Sequence, residues 1–360
     1  MTLRFVILIL STGASLLFGC VETEIPREVG TSFAATTEVV VPGDDLDLVG
    51  TLHMPSHSEI ELVPAVVLVH GSGPQGRDET MAGQLNMAFP VPISLFVELA
   101  DRLQSDGLAV LRYDKRTCGP FNGLCDNDYP FPPDDVGVDH YVQDAVRAAR
   151  WLAEQGGVDP ERVLVVGHSQ GGGMVPRMLT EAPELAAGIS LAGNWRPIDA
   201  LLAYQLSFSV ELLESLGYSQ QQIDTVVGDL RTMVEELAEL RAGTFTGASI
   251  GGASVAHWQA WLDLDDARPA DLAALDRPIL AVNGGMDWNV PEDPELLGWE
   301  AALDANGAAG DGNAALSLPC LTHAFNCVEG QVVGESVDSS LLDGLRDWLD
   351  GRGLRASVPR

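Results

Sequence analysis

The stretch Val165-Val166-Gly167-His168-Ser169-Gln170-Gly171-Gly172-Gly173 sets one serine among glycines, directly after a run of β-branched residues. A hydroxyl that only decorates a surface needs no such neighbours. A serine in a sharp turn between a strand and a helix does need them. Glycines let the two backbones approach while the serine takes up the unfavourable dihedrals that lift its hydroxyl above the sheet. The pattern Gly167-x-Ser169-x-Gly171 is therefore read as a raised nucleophile. Amides at the start of the following helix suit an anionic intermediate. The rival reading is a glycine turn cradling a dinucleotide; it lacks the G-x-G-x-x-G spacing and would sit at a mid-chain strand.

A serine at neutral pH needs a base, and the base needs an orienting carboxylate. The chain has seven histidines. His53 and His57 fall near the N-terminal strands, His140 falls in a helix and His257 in a helical insertion, while His70 and His168 belong to loop and turn motifs with structural tasks. His323 remains, just past the last expected strand and bracketed by Cys320 and Cys327. The acid is expected after a strand between Ser169 and His323. Asp287 in ILAVNGGMDWNVP fits, with Asp199 and Asp293 as the alternatives.

The elements that must position these groups follow from hydrophobic periodicity. TEVVVPGDDLDLVGTLHMP reads as two strands joined by a turn, and PAVVLVHGSG as a buried strand ending in a loop. Helical spacing in SLFVELADRLQSDG and VDHYVQDAVRAARWLAEQ alternates with the strands LAVLRYDKR, RVLVVGHS and AAGISLAGN. A helix begins at GGMVPRMLTEA, where Pro176 is tolerable only in the first turn. Residues 117–133, rich in Pro, Asn, Asp and Gly, form a long loop. Strands resume at PILAVNGGMD and AALSLPC, and SVDSSLLDGLRDWLDGRG closes the chain as a helix. Strands alternating with helices imply an α/β fold, a mostly parallel sheet covered on both faces. Between the two halves, residues 197–267 carry two helical stretches with apolar stripes (Leu212, Leu216, Val226, Leu230, Val234) and no strong strand. This insertion is expected to cap Ser169, with Trp258 and Trp261 lining the pocket or packing in the core. Asp114, Lys115 and Arg116 fall at a strand's C-terminal end, where they either touch substrate or brace the loop as an ion pair.

With 52 acidic and 20 basic residues, the formal net charge is −32. Such a surface repels phosphate backbones, which excludes nucleic-acid binding. Arg4 precedes FVILILSTGASLLFGC, an apolar run of about 14 residues that suits a signal-peptide core and is short for a bilayer span. Its LLFGC ending resembles a bacterial lipoprotein signal in which Cys20 becomes the lipidated first residue; an ordinary signal peptide or an uncleaved anchor is the alternative. Each version sends the chain out of the cytoplasm. In an oxidising compartment, Cys118, Cys125, Cys320 and Cys327 read as two disulfides, local pairing being simplest, with cross-pairing between the loops as the rival. Zinc fits neither the spacing nor the available histidines.

On these motifs the chain resembles the α/β-hydrolases, with nucleophile, acid and histidine in the family's order at Ser169, Asp287 and His323. HGSGPQGRDET, LRYDKR and GHSQGG look most like exported bacterial carboxylesterases related to the serine peptidase and dienelactone hydrolase branches. The glycine usual after DKR is displaced by Thr117-Cys118. The resemblance implies an α/β-hydrolase fold with a helical cap and an oxyanion hole from the backbone amides of Ser72 and Gln170. It also implies cleavage of small-molecule carboxylic esters through an acyl-enzyme, with no metal or organic cofactor. Residues 1–20 are then the signal peptide and 21–35 a tether. The core comprises 36–196 and 268–360, interrupted by the cap at 197–267. The same triad would serve a peptidase, acyl-transferase or thioesterase, and the same fold a non-catalytic binding protein. No β-propeller-like region precedes the core to select peptides, and export and acidity disfavour acyl-CoA.

Overall fold

The structure is a computed structural model, and it describes residues 31–58, 61–81, 92–119, 125, 136–306, 312–330 and 332–355. The expected signal peptide with Cys20, most of the tether and most of the loop after Thr117 lie outside these residues. An eight-stranded sheet is built from β1 (Ala35–Val41), β2 (Leu48–Met54), β3 (Val63–Val69), β4 (Ala109–Tyr113), β5 (Val158–His168), β6 (Ala187–Leu191), β7 (Ile279–Gly284) and β8 (Ala314–Leu318). Their order across the sheet is β1-β2-β4-β3-β5-β6-β7-β8. The first two pairings are antiparallel and the rest parallel.

Side chains alternate across a strand, so each central strand feeds two cores. Ala65, Val67 and Val69 of β3 face one core and Val66 and Leu68 the other; β5 divides the same way, Val163 and Val165 against Leu164 and Val166. The first core is roofed by α2 (Val138–Ala153), α4 (Val175–Glu181) and parts of α7 (Val255–Ala273) and α8 (Leu297–Asn306). The second is roofed by α1 (Leu95–Ser105) and α9 (Ser339–Asp350). Burial on both faces is why these strands read as unbroken apolar runs.

The helix expected from GGMVPRMLTEA is two pieces, the single turn α3 (Gln170–Gly173) and α4, with Pro176 in the first turn of the second. The insertion holds α5 (Ile198–Ser215), α6 (Gln220–Arg241) and a third helix, α7, that sequence periodicity did not reveal. Helix α7 runs past residue 267 and contains Pro269. It is buried on several sides, through Trp258, Trp261, Leu262, Leu264 and Leu272, so it has no single apolar stripe to announce it. Arg268 ties α7 to α3 and to the loop after β6: it pairs with Asp265, and its guanidinium donates to the carbonyls of Gly173 (2.9 Å) and Trp195 (2.7 Å). Asp265 in turn accepts the amide of Ile198 at 2.7 Å, which starts α5.

Candidate active site

Ser169 joins β5 to α3 with φ 53° and ψ −115°, a conformation in which a non-glycine residue is strained. Its neighbours explain how the turn closes. A Cβ on Gly167 would lie 2.1 Å from the Gly171 carbonyl oxygen, and a Cβ on Gly171 would lie 2.3 Å from that of Val69. Any side chain at either position would force β5, α3 and β3 apart. Beside the serine, Lys115 and His168 are buried, and so is Glu79, at φ 43°.

Asp287 follows β7 and is 4% exposed. Its Oδ1 accepts the amides of Asn289 (2.9 Å) and Val290 (3.0 Å), and its Oδ2 accepts His323 Nδ1 at 2.7 Å. An ionised carboxylate only accepts, so the imidazole proton is fixed on Nδ1 and Nε2 is left with a lone pair. His323 sits in a tight loop closed by the Cys320–Cys327 disulfide. Within it Phe325 N donates to Thr322 O (3.0 Å) and Val328 N to Cys320 O (2.7 Å). The loops that carry Asp287 and His323 are also laced together: Gly285 N donates to Leu318 O (3.0 Å) and Met286 N to Leu321 O (2.9 Å). The alternative acids lie elsewhere. Asp199, on α5, pairs with Arg241 of α6, and Asp293 is exposed to solvent.

Ser169 and His323 line one cavity of about 480 Å³, within the range of small-molecule sites. Among the described residues no hydrogen bond joins the two side chains; catalytic contacts of this kind commonly tighten only when substrate is bound. Ser72 and Gln170 line the same cavity. Ser72 is exposed on the loop after β3, and Gln170 opens α3, where a first-turn amide has no intrahelical partner. The insertion contributes Ile198, Leu201, Leu202 and Gln205 of α5 and Trp258 and Trp261 of α7 to the lining, the two indole rings stacking 5.6 Å apart. Gln205 fastens α5 to the loop that carries Asp287 by donating to the Asn289 carbonyl at 2.7 Å. Asp114 is not brought to the cavity. The Arg77 guanidinium and amide enclose its carboxylate at 2.9–3.1 Å, so it braces the loop as an ion pair, and Arg116 does the same with Asp144 (2.6 and 2.7 Å).

A buried polar network under the site was not legible in the sequence. Glu79 Oε1 accepts the amide of Gly71 (2.6 Å) and pairs with His168 Nδ1 (3.0 Å), while His168 Nε2 donates to the carbonyl of His323 (3.0 Å). Burial alone would raise the Glu79 carboxyl, but the facing His168 holds it below the usual carboxylate range. Burial likewise opposes charge on His168, yet Glu79 lifts it above the ordinary imidazole value. Lys115, also enclosed, is pushed by burial down to about 7, with Glu79 opposing that shift. The one signal for Glu79 was an acid close behind a Gly-Ser-Gly-Pro loop; for Lys115 there was none beyond its place at the end of β4.

The alpha/beta hydrolase family model matches residues 66–326. The chain belongs to this family. Among curated proteins, esterase EstD of Thermotoga maritima is 31% identical over 338 residues, spanning 91% of this chain and 70% of that protein. Among solved structures, dienelactone hydrolase from Anabaena variabilis superposes with a TM-score of 0.50 at 17% identity, covering 89% of this chain and 99% of that one. A Pyrococcus furiosus esterase gives 0.51 at 13% identity, covering 88% and 91%. At these identities the structural neighbours speak for the fold. The α/β-hydrolase fold expected from the motifs is the one found, and Ser169, Asp287 and His323 follow the carboxyl ends of β5, β7 and β8. Both disulfides are local, Cys118–Cys125 and Cys320–Cys327, consistent with an exported protein. No helix among the described residues is long and apolar enough to cross a membrane.

Proposed function

We propose that this hydrolase cleaves carboxylic esters by acyl transfer to Ser169. The observation that carries the reading is the Asp287–His323 pair, closed at 2.7 Å, with His323 lining the same cavity as a strained serine. His323 Nε2 takes the Ser169 proton as Oγ attacks the acyl carbonyl, and Asp287 stabilises the imidazolium that forms. The amides of Ser72 and Gln170 hold the developing oxyanion, each donor worth about 2.7–4 kcal/mol of transition-state stabilisation. His323 then protonates the leaving alcohol, and water releases the acid by the reverse sequence.

The esterase activity named for EstD supports the ester class, and the mixed wall of Trp258, Trp261, Trp288, Leu201 and Gln205 supports a neutral organic substrate. The insertion acts as a cap that narrows the choice of acyl group. Export with lipidation at Cys20 would place the enzyme on the envelope surface. A fluorophosphonate probe with intact-mass analysis tests the nucleophile, and a panel of p-nitrophenyl esters and matching anilides tests the reaction. Labelling lost in Ser169→Ala together with ester turnover supports the reading. An unlabelled wild-type protein would favour a binding protein on this fold, and faster anilide than ester cleavage would favour a peptidase.

A further inference from the structure

The carbonyl oxygen of Gly71 and the N–H of Ser72 belong to one peptide group. The only cis bond among the described residues is Asp293–Pro294, so this group is trans, with its C=O and N–H pointing in opposite directions. Whatever fixes the carbonyl therefore aims the amide. Lys115 Nζ donates to that carbonyl at 2.6 Å and to Gln170 Oε1 at 2.9 Å. Its ammonium lies 4.2 Å from the centroid of the Tyr141 ring and is 3% exposed. The preceding peptide group is held from the other side, where Glu79 Oε1 accepts Gly71 N at 2.6 Å. Both peptide planes flanking the Gly71 Cα are thus pinned by buried ionisable side chains.

We propose that Lys115 is a positioning residue for the oxyanion hole, which orients and polarises the Gly71–Ser72 peptide group so that the Ser72 N–H meets the developing negative charge. The inference rests on the esterase reading above and adds to it a group that never touches substrate. A donor on a carbonyl oxygen draws electron density toward that oxygen and makes the amide at the other end of the same group a stronger donor, the cooperative effect seen in chains of hydrogen bonds. Its second bond holds the side chain of Gln170, the residue whose backbone amide is the partner donor. Placing a buried lysine here costs stability, because a charge in an enclosed site must be held by its partners. Asp114 and Arg116, its neighbours in sequence, spend their side chains on Arg77 and Asp144 and leave this task to Lys115.

The test compares wild type, Lys115→Met and Lys115→Gln on p-nitrophenyl acetate at pH 7, with affinity for an aryl trifluoromethyl ketone as second readout. That ketone forms a Ser169 hemiketal whose oxyanion occupies the hole. Methionine keeps the aliphatic stem and removes the donor; glutamine keeps one amide donor. Removing an oxyanion donor outright costs 10²–10³ in kcat, so a residue that only aims one should cost roughly 10- to 100-fold. Lys115→Met should lose that factor in kcat with KM within about twofold of wild type. Its ketone affinity should fall by the same factor, fluorophosphonate labelling should go to completion, and Lys115→Gln should fall between. Wild-type kcat in Lys115→Met overturns the inference and leaves the esterase reading intact. So does an equal loss in KM and kcat without loss of ketone affinity, which marks general loosening. Should Lys115→Met fail to fold, Lys115→Gln decides alone by the same criteria. A wild-type protein that turns over no ester overturns the underlying reading, and the inference with it.

Discussion

Replacing Asp287 by asparagine changes one atom of the carboxylate, and the surrounding geometry dictates the result. Oδ1 accepts two backbone amides, from Asn289 and Val290, at 2.9 and 3.0 Å. The asparagine oxygen must take that position, since an NH₂ group there would oppose two N–H donors and leave both unpaired, at about 1–3 kcal/mol each. Its NH₂ group then faces His323 Nδ1. To accept from it, the imidazole must carry its proton on Nε2, the atom that has to receive the proton of Ser169. The base is present but in the wrong tautomer. That defect is worth about 10⁴ in kcat, or roughly 5.5 kcal/mol of transition-state stabilisation. KM should stay within a few-fold. Because the hydrogen bonds survive in number, the urea midpoint should stay close to that of wild type. Steady-state hydrolysis of p-nitrophenyl acetate measures the loss, with circular dichroism to check the fold. Turnover within tenfold of wild type would refute the tautomer argument, and a large loss in Asp199→Asn at the same time would move the acid to α5.

Gly171→Ala should fail to fold or lose several kcal/mol in urea unfolding, because its Cβ would meet the Val69 carbonyl oxygen at 2.3 Å and neither strand nor elbow can retreat. Cys320→Ser opens a loop of about eight residues, worth about 2.5 kcal/mol in the chain-entropy model; kcat should fall while the sheet remains folded, and turnover followed alongside circular dichroism during reduction tests that order. Lys115 titrates near 7 in the folded chain against an ordinary 10.5, so the unfolded chain binds the extra proton between those values and stability rises with pH across that window. Urea unfolding of wild type relative to Lys115→Met should accordingly improve by roughly 4 kcal/mol from pH 6 to pH 10, and a flat difference would refute the burial of its charge. Leu201→Trp should reduce turnover of long acyl esters far more than of acetate, as shown by the ratio of their kcat/KM values, if the insertion shapes the acyl site.

The strands were legible because central parallel strands are buried on both faces, so Val66 to Val69 or Val163 to Val166 reads as one apolar run whichever way each side chain points. The elbow was legible because close backbone approach excludes every residue except glycine at 167 and 171. His323 was legible mainly by elimination and Asp287 by its place after a strand. Helix α7 was missed because burial around much of its circumference erases the 3.6-residue stripe, and Pro269 reads as a break. Asp114, Lys115 and Arg116 are indistinguishable in sequence, three charged residues after one strand. What separates them is the partner each meets: Arg77 and the Gly71 carbonyl in the loop after β3 for Asp114 and Lys115, and Asp144 of α2 for Arg116. That is set by how the chain folds back on itself, a property without a local signature.

The residues that the insertion adds to the lining around Ser169 also make the cavity optically visible. Of the seven tryptophans in the chain, Trp258, Trp261 and Trp288 line it, and Trp288 follows Asp287 directly in sequence. Indole emission shifts with the polarity of its surroundings, so expelling water from this space shifts the spectrum of the whole protein. Ser169→Ala, which keeps the cavity and on the proposed mechanism loses the chemistry, then becomes a titratable sensor. Candidate compounds can be ranked by what the cavity admits before any of them is shown to react, which separates recognition from turnover.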